Sequence, residues 1–191
     1  MNLNYERNGK RFVDLVGATF AFAALSPVLV VVSVAVKATS RGPALYRQTR
    51  IGANRTHFTL LKFRSMPVDT PVVSSAEGTA LKPTLIGAAI RRLNVDELPQ
   101  LLNIIKGDMS LVGPRPALPT QTDLLVARAP SGSGRLRPGL TGMAQINSFD
   151  GMSQEEKAHW DELYAQEVTF IHDLRIIIGT FRYLTKPPPK Y

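Results

Sequence analysis

The chain contains no cysteine, which excludes disulfides, thiolate metal sites and cysteine nucleophiles. Histidine is almost as scarce: His57, His159 and His172 lie too far apart for HExxH-type metal spacing. No P-loop, G-x-G-x-x-G or G-x-S-x-G pattern occurs, so ATP-binding and serine-hydrolase readings lack support. Acidic residues are few, 15 against 23 Lys+Arg, giving a formal charge of +8 over 191 residues. That length allows one domain with a sizeable core and not two large ones. With 14 Gly, 14 Pro and 44% hydrophobic residues, the chain is neither collagen-like nor wholly disordered.

The location of the charge matters more than its total. Residues 1–64 hold ten basic side chains and two acidic ones, Glu6 and Asp14, whereas the remaining 127 residues hold thirteen of each. The whole excess therefore surrounds the most apolar stretch of the chain. That placement favours an anionic membrane surface and argues against nucleic acid as the partner.

The apolar stretch runs from Leu15 to Val36, 22 residues without a charge. As one straight helix it reaches about 33 Å, enough to cross a bilayer core of ~30 Å. Ser26-Pro27 stands at its middle, where proline removes a backbone donor and Ser26 could cap a second, shorter helix. Arg7, Lys10 and Arg11 precede the segment, and Lys37, Arg41, Arg47 and Arg50 come after it. Basic residues mark the cytoplasmic side, and here both flanks carry the mark. A helix-break-helix hairpin that enters and returns satisfies both flanks; a kinked span and a buried soluble helix remain as alternatives. Asp14, at the mouth of the segment, reads as a cap or as the partner of a nearby arginine.

Downstream, Leu45–Gln48 and His57–Phe63 read as two strands joined by Gly52-Ala53-Asn54, a small β-hairpin. Pro67 to Pro83 is a polar loop, and Leu85 to Arg92 a short helix. Glu97 to Ile105 reads as another helix, with Pro99 in its first turn and Lys106-Gly107 as its stop. Ser153-x-x-Glu156 is a capping box that opens a helix through about Ala165. Phe170, Leu174, Ile177, Ile178, Phe181 and Leu184 recur at helical spacing beside Arg175, Arg182 and Lys186. This is a basic amphipathic helix suited to a membrane surface or to packing on the core. The expected fold is thus α+β and mainly helical. It has three parts: a basic-flanked re-entrant membrane segment (1–40), a cytoplasmic catalytic domain (41–186) and a C-terminal tail (187–191).

The chemistry centres on Asp96-Glu97, placed where a helix is expected to begin. Two acids there also complement a helix dipole and can do nothing more. Their surroundings point further: Arg91, Arg92, Arg115, Arg135 and Arg137 stand beside the pair or near glycine and proline turns, and arginine suits bidentate phosphate contacts. Carboxylates, arginines and an apolar hairpin together suggest a phosphate-bearing substrate handled at a membrane. A carboxylate can attack phosphorus, and Mg²⁺ is commonly held by one or two carboxylates with substrate phosphates.

Lys10-Arg11-Phe12-Val13-Asp14, Ser26-Pro27, Lys62-Phe63-Arg64-Ser65-Met66, Asp96-Glu97-Leu98-Pro99-Gln100-Leu101, Lys106-Gly107-Asp108-Met109-Ser110, Gly113-Pro114-Arg115-Pro116 and Arg137-Pro138-Gly139-Leu140-Thr141-Gly142 occur in this order. Together they closely resemble the bacterial sugar transferase family, the monotopic phosphoglycosyl transferases, from about Lys10 to Lys186. The resemblance implies transfer of a sugar-1-phosphate from a UDP-sugar to polyprenol phosphate, with release of UMP, at the cytoplasmic face of the bacterial inner membrane. It implies Asp96 as the nucleophile of a covalent phosphosugar intermediate, and Glu97 as a Mg²⁺ ligand or an aid to proton transfer, with Asp96 beside it at the metal. Lys62, Arg91, Arg115 and Arg137 would contact phosphates or nucleotide, and Asp161, which matches an acidic position of the family, is grouped with these substrate-binding positions. Ser26-Pro27 would form the break of the re-entrant helix. The sequence departs from the family at Thr84-Leu85-Ile86-Gly87, where a basic residue often comes after the threonine, and at Asn94, where serine is frequent. It reads as a minimal catalytic unit. The competing reading is a non-catalytic peripheral membrane protein that binds anionic lipid through its basic first third.

Overall fold

A computed structural model of the protein describes residues 5–71, 82–147 and 152–184. A π-helical turn, Tyr5–Gly9, leads into α1, Lys10–Thr39, a helix of 30 residues and about 45 Å. Buried positions Lys10, Asp14 and Ala18 recur every four residues, so one face of its first half is held against the protein. Gly17 permits the close approach, because a Cβ there would stand 2.9 Å from Leu111 Cδ1. Elsewhere α1 is open: Phe12, Phe20, Val31 and Val34 are each more than three-fifths exposed. A buried soluble helix is therefore not what forms.

The expected division of this helix at Ser26-Pro27 is not seen either. Helix continues through Pro27, and the Ser26 hydroxyl donates to Ala23 O at 2.8 Å, a bond back into its own helix that caps nothing downstream. Asp14 also departs from expectation. One of its oxygens, Oδ1, accepts from Ser110 Oγ at 3.0 Å and Leu111 N at 2.9 Å, so it fastens α1 to a strand and, among the described residues, pairs with no arginine.

The hairpin forms as its sequence predicts, β1 (Leu45–Ile51) pairing antiparallel with β2 (His57–Phe63). The connection places Asn54 and Arg55 in the left-handed region, which asparagine tolerates better than most residues. Next come α2 (Leu85–Arg92), a 3₁₀ turn (Val95–Glu97) and α3 (Gln100–Lys106). The single helix expected over Glu97–Ile105 is thus two pieces. Pro99 has no N–H for Val95 O, so i→i+3 bonds close the first piece and α3 starts beyond it.

A second sheet, absent from the expected fold, pairs β3 (Ser110–Val112) in parallel with β4 (Gly139–Thr141). Its strands have three residues each and lie against glycine- and proline-rich turns, so they read as loop. Around them stand α4 (Thr122–Ala127), α5 (Met143–Ile146), α6 (Gln154–Gln166) and α7 (Phe170–Leu184). The capping box at α6 is complete: Ser153 Oγ accepts from Glu156 N, and the Glu156 carboxylate accepts from Ser153 N.

Four apolar clusters hold the described elements together, one of them Ala117, Leu124 and Ala158 between α4 and α6. Ala18, Leu60, Leu101, Ile104 and Met109 join α1, β2 and α3. Val36, Phe63 and Ile90 join the far end of α1 to β2 and α2, and Val112, Tyr164, Val168 and Ile176 seat α6 and α7 on β3. Each large side chain buried this way contributes about 1.5–3 kcal/mol. Helix α7 packs Ile176 and Asp173 inward while Phe170, Ile171, Leu174, Ile178 and Phe181 point outward. Of the predicted loop over 67–83, residues 72–81 lie outside the described residues, as does the predicted tail 187–191.

Candidate active site

The floor of the site is β2. Along its outer edge, Asn103 of α3 satisfies the backbone: Leu61 N donates to Asn103 Oδ1 at 3.0 Å, and Asn103 Nδ2 donates to Thr59 O at 2.7 Å. These bonds complete an otherwise bare strand edge and fix α3 against the hairpin. Asn94, where the family frequently has serine, makes no side-chain cap. It adopts a left-handed backbone, φ +53°, without capping anything, and so turns the chain into the Val95–Glu97 segment.

That turn presents Asp96 and Glu97 differently. Glu97 Oε1 accepts from Lys62 Nζ of β2 at 2.6 Å and from Arg115 Nη2 at 3.3 Å. Burial alone would raise the Glu97 carboxyl, but the charges and hydrogen bonds of Lys62 and Arg115 hold it down to about 2. Asp96, only 7% exposed, has no hydrogen-bond partner among the described residues. Burial pushes its carboxyl up to about 6, opposed by Lys62 and seconded by the negative charge of Glu97. The ionised form therefore outnumbers the protonated one by about ten to one at pH 7. One carboxylate is neutralised and fixed, while its neighbour is desolvated and unencumbered. A carboxylate whose charge no hydrogen bond damps among the described residues is chemically able to attack an electrophile.

Of the residues singled out in the sequence, Lys62, Arg91 and Arg115 gather here with the carboxylate pair. Arg91 closes α2 and acts on Asp96 electrostatically, while its Nη1 donates to Met66 Sδ at 3.2 Å. Two others stand elsewhere. Arg137 Nε donates to Gly107 O at 3.0 Å, at the opposite end of α3 from Asp96. Asp161 is 1% exposed and ion-paired to Arg128. Ser26 and Pro27 lie midway along α1, outside the cluster.

Sequence reasoning missed Arg50, which joins the site from β1. Its Nη1 donates to Pro116 O at 3.0 Å, and burial together with the nearby charge of Arg115 lowers its guanidinium to about 10. The signal was present in the strand alternation. Tyr46, Gln48 and Arg50 share one face of β1, and Lys62 is the cross-strand partner of Tyr46. Lys157 of α6 was missed as well; burial lowers its pKa first, then the charges of Arg115 and Arg128.

Comparison with known proteins identifies a family. The profile of the bacterial sugar transferase family matches residues 5–187. The UDP-glucose:undecaprenyl-phosphate glucose-1-phosphate transferase of Caulobacter vibrioides is 39% identical over 180 residues, 90% of this chain and 67% of that protein. The protein of the same name from Escherichia coli K12 is 36% identical over 90% of this chain, which spans only 39% of its length. The uncharacterized sugar transferase EpsL of Bacillus subtilis is 36% identical over 91% of this chain and 85% of its own.

Proposed function

The chain belongs to the bacterial sugar transferase family, and from that membership we propose that it transfers a sugar-1-phosphate from a UDP-sugar to polyprenol phosphate. The observation that carries the reading is the contrast within the carboxylate pair: Asp96 buried and free of hydrogen bonds among the described residues, Glu97 clamped by Lys62 and Arg115. In the first step an Asp96 oxygen attacks the β-phosphorus of the UDP-sugar. An Asp96 O–P bond forms, the bridging P–O bond breaks, and UMP leaves with the electron pair. In the second step a phosphate oxygen of polyprenol phosphate attacks the same phosphorus and releases the Asp96 carboxylate. The products are polyprenol-diphosphate-sugar and the free enzyme. Arg91, Arg115 and Lys62 offset the like charge that otherwise opposes a carboxylate approaching a diphosphate.

The residues present fit a Mg²⁺ ion. Glu97 takes both of its cations on Oε1, and Asp96 has no hydrogen-bond partner, so the pair offers the one or two carboxylate oxygens that Mg²⁺ needs when phosphates complete its shell. When bound, the ion would neutralise phosphate charge. The protein's part is to keep Glu97 ionised through Lys62 and Arg115, and Asp96 desolvated beside it.

Membrane placement is argued from α1. Its apolar length is exposed, which favours lipid contact, and its two ends are fastened to one body. At one end Lys10 Nζ donates to Asp173 of α7 at 2.6 Å; at the other Val36 packs with Phe63 and Ile90. A helix crossing the bilayer would part those ends. A same-side placement, with unbroken α1 at the membrane and the catalytic domain on the cytoplasmic face of the inner membrane, also agrees with the basic residues on both flanks. The outward apolar stripe of α7 suits the same surface and its anionic lipid.

The test is UMP release from a UDP-sugar and polyprenol phosphate, compared with Asp96→Asn. Release by the wild type and its loss in the variant, with membrane association unchanged, support the reading. Membrane association without turnover by the wild type would leave the peripheral lipid-binding protein instead.

A further inference from the structure

The turn that carries Arg115 is gripped from two sides. Arg128 Nη1 donates to Arg115 O at 3.0 Å, and Arg50 Nη1 donates to the next carbonyl, Pro116 O, also at 3.0 Å. Each arginine is anchored by its remaining donors. Arg128 Nε and Nη2 donate to Asp161 Oδ2 at 2.9 and 2.5 Å, and Arg50 Nε and Nη2 donate to Gln48 Oε1 at 3.0 and 2.6 Å. Ile51 N adds a bond to Ala117 O at 2.9 Å, so β1 and α6 close on the same few residues from opposite directions.

We propose that Asp161 is a positioning residue that acts through Arg128 to hold the Arg115 backbone, so that the Arg115 guanidinium stands at Glu97. Gln48, through Arg50, does the same from the hairpin. The planar guanidinium makes this possible: two nitrogens engage the anchoring oxygen while the third reaches a carbonyl. Asp161 has no other outlet. It is buried, its acceptor Oδ2 is taken by Arg128, and a carboxylate would repel a phosphate brought near it. Among the described residues, Arg115 is the hydrogen-bonded link from this chain of contacts to the carboxylate pair, through its bond to Glu97. The assignment rests on the transferase reading only in its kinetic consequence.

The experiment is a double-mutant cycle in the full chain, read as single-turnover UMP release. Asp161→Asn and Arg115→Lys should each slow release by roughly tenfold or more. The double variant should fall no more than about twofold below Arg115→Lys alone, since nothing is left to position. Asp161→Asn combined with Lys62→Met should multiply. Multiplicative losses in the Asp161–Arg115 pair overturn the proposal, because a pair that merely stabilises the fold does not couple to one guanidinium. Hydrogen exchange supplies a readout independent of activity. Amides over 113–118 should exchange roughly tenfold faster in Asp161→Asn while those of α3 stay unchanged; unchanged exchange over 113–118 refutes the clamp. Should Asp161→Asn fail to fold, the double change Asp161→Asn with Arg128→Met, which leaves no unpaired buried charge, replaces it in both measurements. If the wild type releases no UMP, the functional reading falls and exchange alone decides the clamp.

Discussion

Replacing Lys62 with Met removes one charge and keeps the aliphatic stem, and it isolates what sets the ionisation of Asp96. In the wild type the Asp96 carboxyl lies at about 6, raised by burial, with Lys62 the largest influence drawing it down. An opposite charge at close range commonly moves a carboxyl by about 1–3 units. Without Lys62 the Asp96 carboxyl should therefore rise to about 7 or beyond. Glu97 also rises from about 2, yet stays ionised because Arg115 remains, so it continues to push Asp96 upward. Each unit is worth about 1.4 kcal/mol, or tenfold in the ratio of carboxylate to acid. The assay is single-turnover UMP release without polyprenol phosphate, so that titration of the acceptor does not enter. The wild-type rate should climb through an acid limb near pH 6. In Lys62→Met the limb should move up by roughly one unit or more, with a lower plateau if Lys62 also contacts the diphosphate. A plateau that falls while the limb stays at pH 6 would refute the reasoning, since Lys62 would then serve substrate alone.

Other consequences concern stability, packing and topology. Ionising Asp96 in the folded state is unfavourable, its carboxyl moving from 3.8 to about 6, so stability falls as pH rises through that window. Asp96→Asn should accordingly raise stability at pH 7 by about 1–3 kcal/mol in urea unfolding, and the gain should vanish below pH 4. Glu97 has the opposite sign. Its carboxyl falls from 4.5 to about 2, so its stabilisation is present above pH 4.5 and lost on acidification, and Glu97→Gln should lose about 2–3 kcal/mol at pH 7. Gly87→Ala should lower stability by about 3 kcal/mol, because the new Cβ would lie 1.9 Å from Ser65 O and must displace α2. Because the chain has no cysteine, single cysteines at Glu6 and Asn54 report topology directly. Both should react with an impermeant maleimide only from the cytoplasmic side, and opposite accessibility would establish a span.

Features fixed by local chemistry were legible in the sequence. The hairpin is read from alternation and a Gly-Ala-Asn turn, and the α6 cap from Ser153 and Glu156. The motif around Asp96-Glu97 named the carboxylates about which Lys62, Arg91 and Arg115 gather in the fold. The hidden features depend on contacts between distant segments. Strands β3 and β4 have three residues each and are recognisable only once they pair. Arg50 and Arg128 are indistinguishable from solvated charges until Gln48 and Asp161 are seen to anchor them. Asp161, grouped with the substrate-binding positions from the sequence, shows its pairing with Arg128 only in the fold. At Ser26 two local options competed, and the hydroxyl took the bond to Ala23 O within its own helix.

The most direct measurement is the mass of the protein after incubation with UDP-sugar and no acceptor. The account predicts that one sugar-phosphate is added on the peptide containing Asp96, that polyprenol phosphate discharges it, and that Asp96→Asn never acquires it. Turnover with no adduct, or an adduct on any other side chain, would contradict it.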